Sequence, residues 1–238
     1  MTLYRVYPEP HLSIDESSPE GFDQLRHLYE VTADRVLRVN MIVTPRGETV
    51  GADNTSGSLT SPTDRVLVRL LRGMSDAVVL GAATLRQEKI PVPPGVPLVV
   101  VSGSGKVPGG NVLHRPDSGE LVVITAHPDI ARAELADCPH RLIAVGTEDL
   151  TPPRLVELFA SEGWNRVLLE GGQQTVSAFV EHSLVDEVCL TLTGSPLDEG
   201  APPVSWWPPG VTYDLVHLLT DDNRMLYHRW VTSPSPEA

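Results

Sequence analysis

The chain reads as an α/β protein with a mainly parallel, twisted sheet, helices on both faces and an antiparallel hairpin at one edge, near the C-terminus. Three observations predict this. From residue 36 to about residue 193, apolar runs of strand length alternate with amphipathic helical patterns, as in parallel strands joined by crossover helices. Ser18-Pro19, Ser61-Pro62 and Thr151-Pro152 each place a capping residue before a proline, a helix start. Residues 211–220 and 223–232 are β-like runs around Asp221-Asp222-Asn223, and strands joined by a tight turn run antiparallel.

Taken in order, residues 1–35 are expected to be an irregular arm with one helix, packed through Phe22, Leu25, Leu28 and Tyr29. The main domain covers residues 36–232. Residues 36–44 (VLRVNMIVT) form a buried strand, and a polar, Gly-containing loop follows to residue 60. The helix after Pro62 presents Val66, Leu67, Leu70, Leu71 and Met74 on one face. Residues 76–81 (DAVVLG), 98–102, 121–125, 141–145, 166–170 and 186–193 read as strands. Residues 128–136 read as a short helix, and the helix after Pro152 buries Leu155, Val156, Leu158 and Phe159. The Pro/Gly-rich stretches 90–97, 103–119 and 194–210 read as loops, and residues 233–238 as a disordered tail.

Composition narrows the function. The net charge is −13, from 18 basic and 31 acidic side chains, which disfavours nucleic-acid phosphates and anionic lipid as partners. The first twenty residues lack a basic start with an apolar run, and no stretch approaches the roughly 18 apolar residues of a membrane span. A cytoplasmic protein is expected. Cys138 and Cys189 have no CxxC spacing and read as reduced thiols packed inside. The eight histidines (11, 27, 114, 127, 140, 182, 217 and 228) show no metal-ligand spacing and read as surface or loop residues, so no metal is expected. The zinc-deaminase pattern and the G-x-S-x-G nucleophile elbow are both absent. Gly103-Ser104-Gly105 follows a strand, but Pro108 stands at the third glycine position and no helix pattern follows, so the dinucleotide fingerprint fails there.

The sharpest local feature is RVLLEGGQQTVSA, residues 166–178. An apolar strand ends in Glu170, two glycines follow, and a helix begins. The first helical amides, around Gly172 to Thr175, are expected to point outward unpaired, and the helix dipole adds about half a positive charge there. Such a junction suits a pyrophosphate.

Four segments occur in order: Val39-Asn40-Met41-Ile42 with Gly47; Thr55-Ser56-Gly57 through Asp64-Arg65; residues 76–84 (DAVVLGAAT); and Leu169-Glu170-Gly171-Gly172 with residues 184–187 (LVDE). This set resembles the reductase domain of the riboflavin-biosynthesis deaminase–reductase in its stand-alone bacterial form, from about residue 36 to residue 232. The resemblance implies a dihydrofolate-reductase-like fold, a homodimer, and hydride transfer from NADPH to the ribosylamino carbon of a phosphoribosylamino-pyrimidine. On the cofactor side it implies Ile42, whose backbone borders the nicotinamide, a loop carrying Gly81 and Thr84, the acidic contact Glu88, and Ser102 near the adenosine phosphate. The pyrophosphate turn would be residues 171–178, with Gly171, Gly172, Gln173, Gln174 and Thr175 at its start. On the substrate side it implies Asn40, Arg46, Ser56 and Glu170.

Two departures stand out. Where the family's first strand ends S-L-D-G, this chain has Thr44-Pro45-Arg46-Gly47, a reversal of charge at residue 46. Where the family often has D-P-x-L-x-x-R, this chain has residues 88–95 (EKIPVPPG) and no arginine, leaving Lys89 or Arg86 as the nearest cations. Ser102 and Arg86 are the candidates for selecting NADPH over NADH, and no general acid is named. Three readings stay open: the pyrimidine reductase, a reductase of the same fold acting on a pterin or another imine or carbonyl, and an NADPH-binding protein without turnover.

Overall fold

The computed structural model describes residues 2–194 and 212–233. The elements, in chain order, are β1 (Thr2–Tyr7), β2 (Leu12–Asp15), α1 (Pro19–Leu28), β3 (Val36–Val43), α2 (Pro62–Gly73), β4 (Ala77–Gly81), α3 (Ala82–Gln87), β5 (Ile90–Pro91), β6 (Leu98–Ser102), β7 (Val112–Leu113), β8 (Leu121–Thr125), α4 (Pro128–Glu134), β9 (Arg141–Ala144), α5 (Pro152–Ser161), β10 (Arg166–Glu170), α6 (Gln173–Glu181), β11 (Glu187–Leu192), β12 (Tyr213–Asp221) and β13 (Leu226–Thr232). The chain divides into two compact units, one of residues 1–71 with 185–238 and one of residues 72–184. The second is inserted into the first, so no linker composition marks the division.

In the inserted unit the strands run in the order β10-β4-β6-β8-β9, and every pairing is parallel. Buried on both faces, these strands read as continuous apolar runs rather than alternating ones. The chain steps outward from β4 to β9 and then returns through α5 to β10, on the other side of β4. Right-handed crossovers therefore place α5 on the face opposite α3 and α4. Leu155 and Phe159 of α5 are buried, and Phe159 stacks on Phe179 of α6 with ring centroids 6.4 Å apart. The stretches expected to be plain loops contain a small parallel pair, Ile90↔Val112 and Pro91↔Leu113. Two-residue strands are too short to leave a periodicity.

In the other unit the order is β2-β1-β12-β13-β11-β3, antiparallel except for β11 with β3. Two expectations are corrected. Residues 2–15 are not irregular: β1 and β2 form a hairpin, and Leu3 and Ile14 are fully buried. The C-terminal hairpin is consequently not at an edge, because β1 pairs with β12. The expected turn is present: the Asp221 carboxylate accepts from the amides of Asn223 and Met225, and Arg224 has a left-handed φ of 63°. The loop 194–210 and the expected tail 233–238, all but Gly194 and Ser233, lie outside the described residues.

Helix α1 starts as expected: the Ser18 hydroxyl accepts from the Gly21 amide, with Pro19 in the first turn. Leu25 and Tyr29 are buried, whereas Phe22 is exposed. Its C-terminal end is held by two buried arginines. Arg229 donates to the carbonyls of Leu28 and Glu30, Arg38 donates to that of Tyr29, and both guanidiniums share the Glu187 carboxylate. Cationic groups on unpaired terminal carbonyls complement the helix dipole.

His217 departs from the surface-histidine expectation. It is 1% exposed, sits edge-on to Tyr29 at 4.7 Å, and neither ring nitrogen has a hydrogen-bond partner among the described residues. Burial, followed by the charges of Arg229, Arg5 and Arg38, pushes its pKa down to about 3. Cys189 is buried as expected, with its thiol pushed up to about 11, mainly by burial. Cys138 is only half-buried, 3.4 Å from Nε2 of His114.

Candidate functional site

In the inserted unit, the order of strands reverses between β4 and β10. In open parallel sheets, ligands bind in the crevice outside the carboxyl ends of the strands at such a reversal. Those two ends carry Gly81 and the run Glu170-Gly171-Gly172. The sequence expectation and the topology thus meet at one place.

The geometry there is that of an anion cradle. Gly172 caps α6 with a φ of 70°, a conformation costing an L side chain about 1–2 kcal/mol. A Cβ on Gly172 would stand 3.0 Å from Oγ1 of Thr84, and one on Gly81 would stand 2.4 Å from Oγ1 of Thr175. The absence of side chains at these positions lets the backbone turn approach within contact distance. Oγ1 of Thr84 is buried and has no hydrogen-bond partner among the described residues, and such a group costs about 1–3 kcal/mol unless a ligand or water satisfies it. One expectation is corrected: the Thr175 amide is not turned outward but donates to the Gly172 carbonyl at 2.8 Å. The amides of Gln173 and Gln174 remain as the orphan donors of the first turn, and both residues are exposed. Thr84 lies on the short helix α3 rather than in a loop, and Glu88 ends that helix, its amide donating to the Thr84 carbonyl. Ser102 ends β6, the next strand beyond β4; it is 2% exposed and its hydroxyl also lacks a partner among the described residues. These features fit the phosphates of a dinucleotide.

Glu170 is bound by a residue that the sequence reading did not single out. Both its carboxylate oxygens accept from Arg72, at 2.8 and 2.5 Å, and both side chains are largely buried. Burial is the largest single influence and would lower the arginine pKa, but the Glu170 charge and hydrogen bond together raise it above its ordinary value. Arg72 supplies a fixed guanidinium beside the cradle in a chain that lacks the arginine expected after Glu88. In sequence it is only a basic residue in the last turn of α2, as expected from the dipole alone.

In the first unit, Asn40 and Ile42 lie on one face of β3 and are half-buried, while Val39, Met41 and Val43 are buried on the other. Ser56 opens a short 3-10 turn and is also half-buried. Arg46 does not reverse the local charge in isolation. Its side chain is 53% exposed, and its Nε stands 3.4 Å from Oε1 of Glu48, a fully buried carboxylate whose other oxygen accepts from the Thr44 hydroxyl. The carboxylate missing at residue 46 is thus present two positions later. Asp64 is a second buried carboxylate: Thr60 and Thr191 donate to its two oxygens at 2.5 and 2.8 Å, and Thr191 pairs in register with Ile42. Glu48 follows a turn and carried no sequence signal of its own, and Asp64 belongs to a segment of the resemblance but received no site role.

Among the described residues, no group of three or more His, Cys, Asp and Glu side chains could hold a metal ion. Nor is any helix among them long and apolar enough to cross a membrane.

The profile of the RibD C-terminal domain matches residues 35–231. No curated protein matches the chain. Among solved structures, a pyrimidine reductase-like protein from Corynebacterium diphtheriae superimposes with a TM-score of 0.69 at 18% identity, covering 88% of this chain and 98% of that one. The riboflavin biosynthesis reductase Rib7 of Saccharomyces cerevisiae matches with a TM-score of 0.62 at 14% identity, over 92% and 100% of the two chains. A deaminase/5-amino-6-(5-phosphoribosylamino)uracil reductase from Thermotoga maritima matches with a TM-score of 0.64 at 15% identity, over 84% of this chain and 57% of that one. At these identities the structural likenesses speak for the fold, a dihydrofolate-reductase-like one.

Proposed function

Because the chain belongs to the RibD C-terminal domain family, we propose that it is an NADPH-dependent reductase acting on 5-amino-6-(5-phosphoribosylamino)uracil or a close relative of it. The observation that carries this reading is the turn from β10 into α6, with its glycine cradle and the unpartnered Thr84 hydroxyl, at the reversal of strand order. When bound, NADPH supplies a hydride from C4 of its dihydronicotinamide. The chain's own task is binding and orientation. The Gln173 and Gln174 amides and the α6 dipole hold the pyrophosphate, and the Thr84 hydroxyl adds a hydrogen bond to it. By the resemblance, the backbone of Ile42 would border the nicotinamide. By the resemblance, Asn40 and Ser56 in the first unit and Glu170 in the inserted one are substrate-contact positions, and Arg72 fixes the Glu170 carboxylate so that its oxygens keep one orientation. No nucleophilic side chain is required.

A second reading, reduction of a pterin or another imine or carbonyl, is favoured by one observation: Arg46 stands where the family has an aspartate, paired with the buried Glu48 two positions on. Calorimetry of NADPH binding with NADH as control tests the cofactor, and loss of NADPH absorbance with each substrate tests the reaction. Turnover of the phosphoribosylamino-pyrimidine supports the first reading, and turnover of a pterin alone supports the second. Binding without turnover of either would leave a cofactor-binding protein, and absence of binding would refute the reductase reading.

A further inference from the structure

On the sheet face of the first unit that packs against α1, one corner is rich in positive charge. The strand register fixes it. His217 of β12 stands opposite Arg229 of β13, and Glu187 of β11 stands opposite Arg38 of β3. Arg5 of β1 stands opposite Leu219, two positions from His217 and so on the same face. Such diagonal neighbours are within reach of a long side chain. Arg229 and Arg38 are engaged: they share the Glu187 carboxylate and donate to carbonyls at the end of α1.

Arg5 and His217 are not. Nη2 of Arg5 donates to the Pro10 carbonyl at 2.8 Å, but its Nε is buried and has no hydrogen-bond partner among the described residues. Both ring nitrogens of His217 are buried and unpartnered in the same sense. A guanidinium Nε always carries a hydrogen, and a neutral imidazole carries one. Two orphan donors therefore occupy one corner of the fold, one on the N-terminal hairpin and one on the strand it pairs with. Native proteins leave few buried donors unsatisfied, and each one points to a bound water or ion. Charge decides between the two. After burial itself, the charges of Arg229, Arg5 and Arg38 disfavour the imidazolium, so the field at the ring is positive. A positive field away from bulk water favours an anion over a neutral molecule. The surroundings set its size: Leu3, Tyr29 and Leu219 are at most 2% exposed. A dianion such as phosphate would lose far more hydration there than two N–H groups return.

We propose that a small monovalent anion of the chloride class binds between Nε of Arg5 and the His217 ring, and so fastens the N-terminal hairpin to β12. The guanidinium supplies a charge-assisted hydrogen bond, and the imidazole supplies a second from whichever nitrogen carries the proton. The ion balances the positive charge that Glu187 leaves uncompensated. It also gives the hairpin a polar tie to the sheet besides the strand pairing and the buried Leu3 and Ile14.

The test replaces sodium gluconate, whose anion is too large for this corner, by sodium chloride at neutral pH and constant ionic strength. Urea denaturation is followed for the native protein and for the variants Arg5→Met and His217→Leu. The native protein should gain stability as chloride rises. Beyond saturation each tenfold rise should raise the folded-to-unfolded ratio about tenfold, as for one ion held by the folded chain alone. Each variant should lose this dependence. Quadrupolar NMR of chloride reads the same binding on the folded protein without denaturant, so a variant of low stability does not hide the result. The line should broaden with native protein and narrow again with either variant. Bromide soaked into native crystals should give an anomalous peak between Arg5 and His217. Absence of any chloride-specific gain or broadening in the native protein would overturn the proposal and leave water on the two donors. An equal effect of chloride on the native protein and both variants would overturn it too, since the ion then acts elsewhere.

Discussion

Replacing Gly81 with alanine probes the packing that builds the anion cradle. The glycine has φ −80° and ψ 146°, so alanine meets no backbone penalty, and the effect is purely one of space. Its Cβ would lie 2.4 Å from Oγ1 and 3.6 Å from Cβ of Thr175, in the first turn of α6. Ordinary carbon–oxygen contact requires the hydroxyl to move about 1 Å. Thr175 can relieve the contact by leaving its present rotamer or by moving with the first turn of α6 away from β4. Overpacking of this kind costs about 1–3 kcal/mol. Thr175→Ala removes the clashing atom, so the double variant should recover most of the loss, with a coupling of about 1 kcal/mol or more. Urea denaturation of the native protein, both single variants and the double variant closes the cycle, and calorimetry with NADPH reads the cradle. Gly81→Ala should weaken binding about tenfold, with partial recovery in the double variant. If Gly81→Ala is neutral in stability, or if the two substitutions are simply additive, β4 does not meet the first turn of α6 as described.

Other predictions concern buried charge and the turn itself. Because the folded pKa of His217 lies near 3, below the ordinary value of 6.5, the unfolded chain takes up the proton first as pH falls. Its neutral form therefore stabilises fully above about pH 6.5. That contribution is lost between pH 6.5 and 3, on the order of 5 kcal/mol across the window. His217→Leu should flatten the acid limb of stability against pH, and an unchanged limb would refute the assignment. Arg72→Met leaves the Glu170 carboxylate largely buried and unpaired; it should cost up to about 3 kcal/mol, with Glu170→Gln in the same chain recovering part, as measured by denaturation. Gly172→Asp adds a carboxylate to the α6 N-terminus at a left-handed backbone position; NADPH binding should disappear while circular dichroism remains that of a folded protein. Retained binding would move the pyrophosphate elsewhere.

Local physics made much of the inserted unit legible from the sequence. The runs 98–102, 121–125 and 166–170 match their strands residue for residue, because strands buried on both faces need unbroken apolar sequence. Ser18 with Pro19 marks the start of α1, and Gly172 marks the N-cap of α6, because capping and positive φ are properties of one or two residues. The N-terminal hairpin was not legible. Residues 2–15 hold two prolines in their turn and no clean alternation, and they become strands by pairing with β12, more than 200 residues away. Polar partnerships escaped for the same reason. Arg72 finds Glu170 across 98 positions, Asp64 is reached by Thr191 from 127 away, and Arg38 and Arg229 converge on Glu187. A charged side chain looks the same in sequence whether water or another buried charge will satisfy it, and only the packed chain decides between the two.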